Sequence, residues 1–244
     1  MQKDLHLISR QRFSPREYNF MQYPPNGNRF RHLGEGVRFF GDVRVGDACI
    51  VEDYCIVGKP DMYTLSRARN DLDIDIEPVS ATTLGDRVIL GASTKIYSGS
   101  FIGSEVETED DVRIGWNATI GPRTRLMFRA QVYCGVQIGS DCRISGFVGD
   151  NVILGDRIAS FGSLVHDYPH RTSTYEYRPS PIVRADVIIG FGAVVVGSVT
   201  IGASSYVAAN AVVTRDVPED HICFGYNQLI PKSRWPGKLG RFVD

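Results

Sequence analysis

Residues 164–179 hold the densest group of side chains able to do chemistry: two of the five histidines, His166 and His170, among Asp167, Tyr168, Arg171, Tyr175 and Glu176. An imidazole takes and returns a proton near neutral pH, so a histidine here suits general-base work on a hydroxyl or amine. Asp167, Glu176 or a backbone carbonyl could hold its second nitrogen and fix the tautomer. Asp167, Tyr168, Arg171 and Tyr175 are candidates for holding the molecule that loses the proton. No Ser or Cys stands beside a base, so nothing points to a covalent intermediate. The five cysteines have no metal-binding spacing, and no metal is expected. Cys134 and Cys223 lack a flanking activating base.

The element that must position this group is a repeat of six residues. It reads aliphatic first, often Gly second, and small or β-branched fifth, from Leu33-Gly34 through Ile114-Gly115 and Ile138-Gly139 to Ile201-Gly202. Twenty-five hexads fit, 22 of them with Ile, Leu or Val first; Phe39, Thr108 and Ser160 are the exceptions. Thirteen of the 25 glycines fall on position two, where chance would put about a sixth. A hexapeptide period means a parallel β-helix. Side chains alternate along a strand, so positions one and five can both face inward. Gly at position two is expected to supply the positive φ of a tight corner. Three hexads close an 18-residue triangular turn, and 25 make about eight. Val88, Thr94, Ser100, Val106, Val112, Ala118 and Thr124 should fill the inner position-five column, with Cys49, Cys55 and Cys142 as small hydrophobes in it.

Residues 33–218 therefore form the β-helix domain. Residues 1–32 form an aromatic, proline-containing capping arm, and residues 219–244 a basic tail or short helix. Two interruptions, 63–83 and 166–182, must leave the prism as protruding loops, the natural place for a site. The first carries Asp71, Asp73, Asp75 and Glu77. The second is read as following an ordinary hexad, 160–165, which makes His166 an exposed loop residue; one two-residue slip is seen, at 144–147. A net charge of −1 suggests neither nucleic acid nor membrane as partner, and the first residues lack a signal-peptide core, which places the chain in the cytoplasm.

The loop motif His166-Asp167-Tyr168-Pro169 followed by Ser173-Thr174-Tyr175 resembles that of the hexapeptide-repeat acetyltransferases, both sugar O-acetyltransferases and xenobiotic acetyltransferases. Asp186-Val187-Ile188-Ile189-Gly190 and the run from Ala208 to Pro218 are similar to that family's last coils, although Ile188 replaces its tryptophan and residues 225–232 depart from its Gly-Asn-Pro-Ala-Lys. The resemblance implies an all-β, left-handed parallel β-helix that assembles as a homotrimer. It implies acetyl-CoA as co-substrate and a small-molecule acceptor, with O-acetylation of a sugar or natural product by direct transfer. His166 is then the base, and His170-Arg171 the alternative base motif. Gly197, Ser198, Ala208 and Ala209 would meet the pantetheine arm through backbone groups, and Lys232 or Arg234 the CoA phosphates. N-acetylation of a nucleotide-linked amino sugar is the nearest alternative. A γ-type carbonic anhydrase shares the fold, but its third histidine is missing, since no His lies between His32 and His166. A non-catalytic solenoid is the remaining reading.

Overall fold

The computed structural model describes residues 30–70, 80–167 and 179–237. Strands of two to four residues repeat in threes and stack into three sheets of 11, 9 and 8 strands, parallel except for the last strand of the first. The chain visits the sheets in the same order on every turn, so each sheet is one face of a triangular prism of about ten turns, consistent with a left-handed β-helix. Within each sheet, residues 18 apart pair, as in Ile114↔Val132 and Ile120↔Ile138. Position-one residues such as Ile114 and Ile138 and position-five residues such as Val88 and Thr124 are all buried in one continuous core, and so are Cys49, Cys55 and Cys142.

The turns outnumber the eight expected because the repeat shortens at three corners rather than one. Ile144 to Val148, Ser160 to Leu164 and Val213 to Val217 are each steps of four residues. Leu164 pairs with Val148 and Val195 in the position-one column, Val217 bridges Ile201, and Cys223 pairs with Val207. Hence 160–165 is not an ordinary hexad. The final segment is more than a tail: His221–Phe224 extends the first sheet, Gln228–Pro231 folds back antiparallel on it, and a 3-10 turn, Lys232–Arg234, follows.

The glycine rule has a different cause from the expected one. Positive φ falls on position four, at Ala48, Glu105, Asn117, Arg129 and their counterparts, all near 60°. Position-two glycines are needed because the coils approach so closely. A Cβ on Gly121 would lie 2.5 Å from the carbonyl carbon of Gly139, and one on Gly115 2.5 Å from that of Tyr133. Of the position-one exceptions, Thr108 forms a 3.0 Å hydroxyl contact with Thr94 inside the core and accepts the Gly91 N–H.

The first interruption contains a helix, Met62–Asn70, capped by Asp61, whose carboxylate accepts from Thr64 N at 2.8 Å and Thr64 Oγ1 at 3.0 Å. The chain rejoins the prism at Thr82–Leu84. The acidic run 71–79 and the arm 1–29 lie outside the described residues. Among those described, no helix is long and apolar enough to cross a membrane.

Candidate functional site

The second interruption leaves the corner after Ser163–Val165, a strand of the nine-stranded sheet. Its base is pinned where Asp167 N–H donates to Pro179 O at 2.8 Å. His166 lies inside that base, and its side chain is buried at 3% exposure. This corrects the expectation of an exposed loop histidine. The four-residue step into Leu164 advances the register by two, so the imidazole stays with the coil and the loop leaves one residue later.

Glycines make the room for this ring. Gly149 lies one coil below, and a Cβ there would sit 2.9 Å from His166 Nδ1 and 2.9 Å from Leu164 O. One coil above, Gly197 has φ +83° and donates its N–H to Val165 O at 2.9 Å. The Asp167 carboxylate comes 3.8 Å from the position a Gly197 Cβ would occupy, and Ser198 beside it is exposed. One corner thus gathers His166, Asp167, Gly197 and Ser198.

The other expected residues are placed elsewhere. Ala208 and Ala209 follow Tyr206–Val207 of the eleven-stranded sheet, so they sit on the next corner of the prism. Ala208 N–H donates to Cys223 O and its carbonyl accepts from Ala211 N, so it has no free N–H to offer an added strand. Lys232 turns its Nζ inward, and Arg234 is exposed. His170, Tyr168, Arg171, Tyr175 and Glu176 lie outside the described residues. His221 is held by its own turn, Nδ1 2.7 Å from Glu219 O.

Sequence reasoning missed a ladder on the outer face of the same sheet. Lys59 donates to Tyr97 Oη at 3.2 Å, and the Arg113 guanidinium carbon lies 4.8 Å from the Tyr97 ring and 4.6 Å from the Tyr133 ring. Tyr133 stacks on Phe147 at 4.7 Å. Phe147 begins the strand that leads into Gly149, so the ladder ends one coil below His166. Burial raises the Tyr97 phenol, but the hydrogen bonds and charges of Lys59 and Arg113 outweigh it and leave its pKa below the ordinary value. The available signal was a spacing of 18 between Lys95 and Arg113 and, across the slip at 144–147, of 16 between Gln131 and Phe147. Among the described residues, no group of three or more His, Cys, Asp or Glu is placed to hold a metal ion.

No family model matches the chain. It is 29% identical over 180 residues to the bifunctional protein GlmU of Bartonella bacilliformis, a match that covers 66% of this chain and 37% of that one. The chain thus spans little more than a third of that relative's length. Among solved structures it is similar to a hexapeptide-repeat acetyltransferase of Vibrio cholerae complexed with acetyl coenzyme A, at 27% identity over 51% of this chain and 64% of that one, with a TM-score of 0.22. It is also similar to the polysialic-acid-specific acetyltransferase NeuO, at 21% identity over 82% and 78% of the two chains, with a TM-score of 0.28. The chain resembles the hexapeptide-repeat acetyltransferases, as its loop motif and last coils implied.

Proposed function

We propose that the chain is an acyltransferase that moves an acetyl group from acetyl-CoA directly to a hydroxyl of a sugar or natural product, with His166 as general base. The observation that carries this reading is the buried imidazole at the corner where the coil opens into its second insertion, with glycine directly below it and Gly197 and the Asp167 carboxylate beside it. A shielded, positioned imidazole is what proton removal from a neutral hydroxyl needs.

In the reaction, His166 takes the proton as the acceptor oxygen attacks the thioester carbonyl. The attack gives a tetrahedral intermediate whose oxyanion calls for hydrogen-bond donors. Its collapse breaks the C–S bond, and the imidazolium returns the proton to the departing CoA sulfur. The acceptor leaves as an ester and the histidine is neutral again. Exposed Ser198 is the nearest described residue able to meet the donor's pantetheine arm, and exposed Arg234 a cation for its phosphates.

The donor is an acetyl-CoA pool of the cytoplasm, and the assembly is a homotrimer with each site shared between prisms. Support for the assembly comes from the eight-stranded face, whose outward strand positions from Thr83 through Phe101 and Ile153 to Thr200 carry no charge. A monomer by light scattering at micromolar concentration would count against a shared site.

The test is acetyl-CoA-dependent release of free thiol with a panel of sugars and amino sugars. His166→Ala should lower turnover about 10²–10⁴-fold. Because the ring is buried, the variant should also lose roughly 1–3 kcal/mol of stability. His166→Asn, which fills more of the space, separates the two effects: it should melt closer to wild type and remain inactive. Wild-type turnover in a folded His166→Asn protein would sink the assignment.

A further inference from the structure

We propose that the Lys59–Tyr97–Arg113–Tyr133–Phe147 ladder is an acceptor subsite that takes an anionic group, a carboxylate or phosphate, on a molecule whose reacting hydroxyl lies at His166. The proposal rests on the acyltransferase reading and narrows its substrate to an acidic sugar or a sugar carrying phosphate.

Three observations carry it. The first is placement. The ladder climbs the outer face of the sheet that holds Ser163–Val165 and stops at the coil below His166. Arg113 is three coils below that strand, roughly 14 Å at about 4.8 Å per coil. That reach spans a second sugar unit or a diphosphate link.

The second is charge. Outward positions on neighbouring coils bring Lys95 and Arg113 into register, and Lys59 pairs with Tyr97 on the coil between them and the prism's start. Lys95 and Lys59 make no ion pair among the described residues; Lys95 Nζ donates only to Ser93 O and Lys59 Nζ to Tyr97 Oη. Asp61 and Asp111 are the carboxylates nearest in chain to this group; Asp61 caps the helix at Thr64, and Asp111 lies 3.7 Å from Arg129. Lys59, Lys95 and Arg113 thus make no ion pair among the described residues, whereas Arg87, Arg123, Arg125 and Arg157, on and beside the eleven-stranded face, are each matched by a carboxylate.

The third is unused donor capacity. Arg113 Nη1 is shielded from water and has no hydrogen-bond partner among the described residues. Its plane is held by rings at 4.8 and 4.6 Å. A guanidinium so fixed is pre-organised for the paired oxygens of a carboxylate or phosphate. Tyr133 and Phe147 then offer aromatic faces to the sugar between the anion and the hydroxyl.

The experiment measures binding by calorimetry on the full chain, with transfer assayed in parallel. The probes are cellobiouronic acid for the carboxylate, UDP-glucose for the phosphate and neutral cellobiose as reference. One anionic probe should bind at least about tenfold tighter than cellobiose, and the preference should shrink in high salt. Which one does so identifies the source of the anion. Arg113→Gln should abolish the preference without changing cellobiose binding, and Lys59→Met should reduce it; the second variant stands in if the first fails to fold. Equal affinity for all three probes, or an unchanged preference in both folded variants, overturns the subsite. Failure of the two readings is distinguishable. Anion-selective binding without transfer of acetyl to any acceptor keeps the subsite and sinks the transferase. Transfer to the anionic acceptors that is unaffected by Arg113→Gln does the reverse.

Discussion

His166 is shaped by what its neighbours lack. Gly149 leaves no side chain where the imidazole lies, and the 2.9 Å that a Cβ would keep from Nδ1 is closer than real Cβ contacts allow. The same Cβ would meet Leu164 O, which is backbone and cannot yield. Gly149→Ala should therefore displace the ring, lowering turnover by at least about tenfold, since small misplacements of a base are costly. KM for acetyl-CoA should stay within about twofold, because the donor thioester is not held by Gly149. Kinetics on the purified variant decide it, and unchanged turnover would show that the ring tolerates the shift. The histidine itself was legible in the sequence as a candidate where the repeat breaks. Its burial was not. Ser160 stands in the position-one column as a small polar residue, and Gly162 follows it, so residues 160–165 look like a weak hexad rather than a four-residue step. Nothing in a six-residue pattern marks the deletion until Leu164 is seen paired with Val148 and Val195.

At the scale of the coil, the repeat divides its demands between two positions. Position two must have no side chain because the next coil's backbone is in the way; position four must adopt φ near 60° whatever its side chain. The sequence shows the first demand as glycine but hides the second, because Asp, Asn, Arg, Ser and Glu all occupy position four. That is why the period was readable while its physical cause was assigned to the wrong position. The two demands predict opposite signs. Gly121→Ala puts a Cβ 2.5 Å from the Gly139 carbonyl carbon and 2.6 Å from its oxygen. It should destabilise by about 2 kcal/mol or more, as overpacking against backbone does. Ala48→Gly relieves a left-handed alanine at φ 58°. The relief, about 1–2 kcal/mol, exceeds the added flexibility of the unfolded chain, so the variant should be neutral or up to about 1 kcal/mol more stable. Urea melts of both variants test the division, and a destabilised Ala48→Gly alongside a neutral Gly121→Ala would reverse it. The helix Met62–Asn70 was also invisible, since the interruption carries no apolar period to mark it.

Over the whole molecule the prism has one continuous core built from nearest-neighbour contacts between coils, and its surface ion pairs obey the same rule. Arg123 meets Asp141 one coil on at 2.7 Å, and Arg157 meets Asp186 at 2.6 Å. Both carboxylates are held below their usual range, in each case first by the hydrogen bond from the arginine. A carboxylate depressed in the native state binds fewer protons than in the unfolded chain, so its contribution is present above the unfolded value near pH 4 and is lost as pH falls through the native value. The pairs should therefore leave the melting temperature flat between about pH 5 and 8 and lower it below about pH 4. Both sites are exposed, so the effect is small and salt-sensitive. Asp141→Asn combined with Asp186→Asn isolates it cleanly, because both positions have φ near 60°, which Asn adopts as readily as Asp. Wild type should melt higher than the double variant at pH 6, the gap should narrow as pH falls below about 4, and 1 M salt should narrow it at pH 6. A gap that persists unchanged at pH 2 would mean that the two aspartates support the stack through their turns and not through their charge.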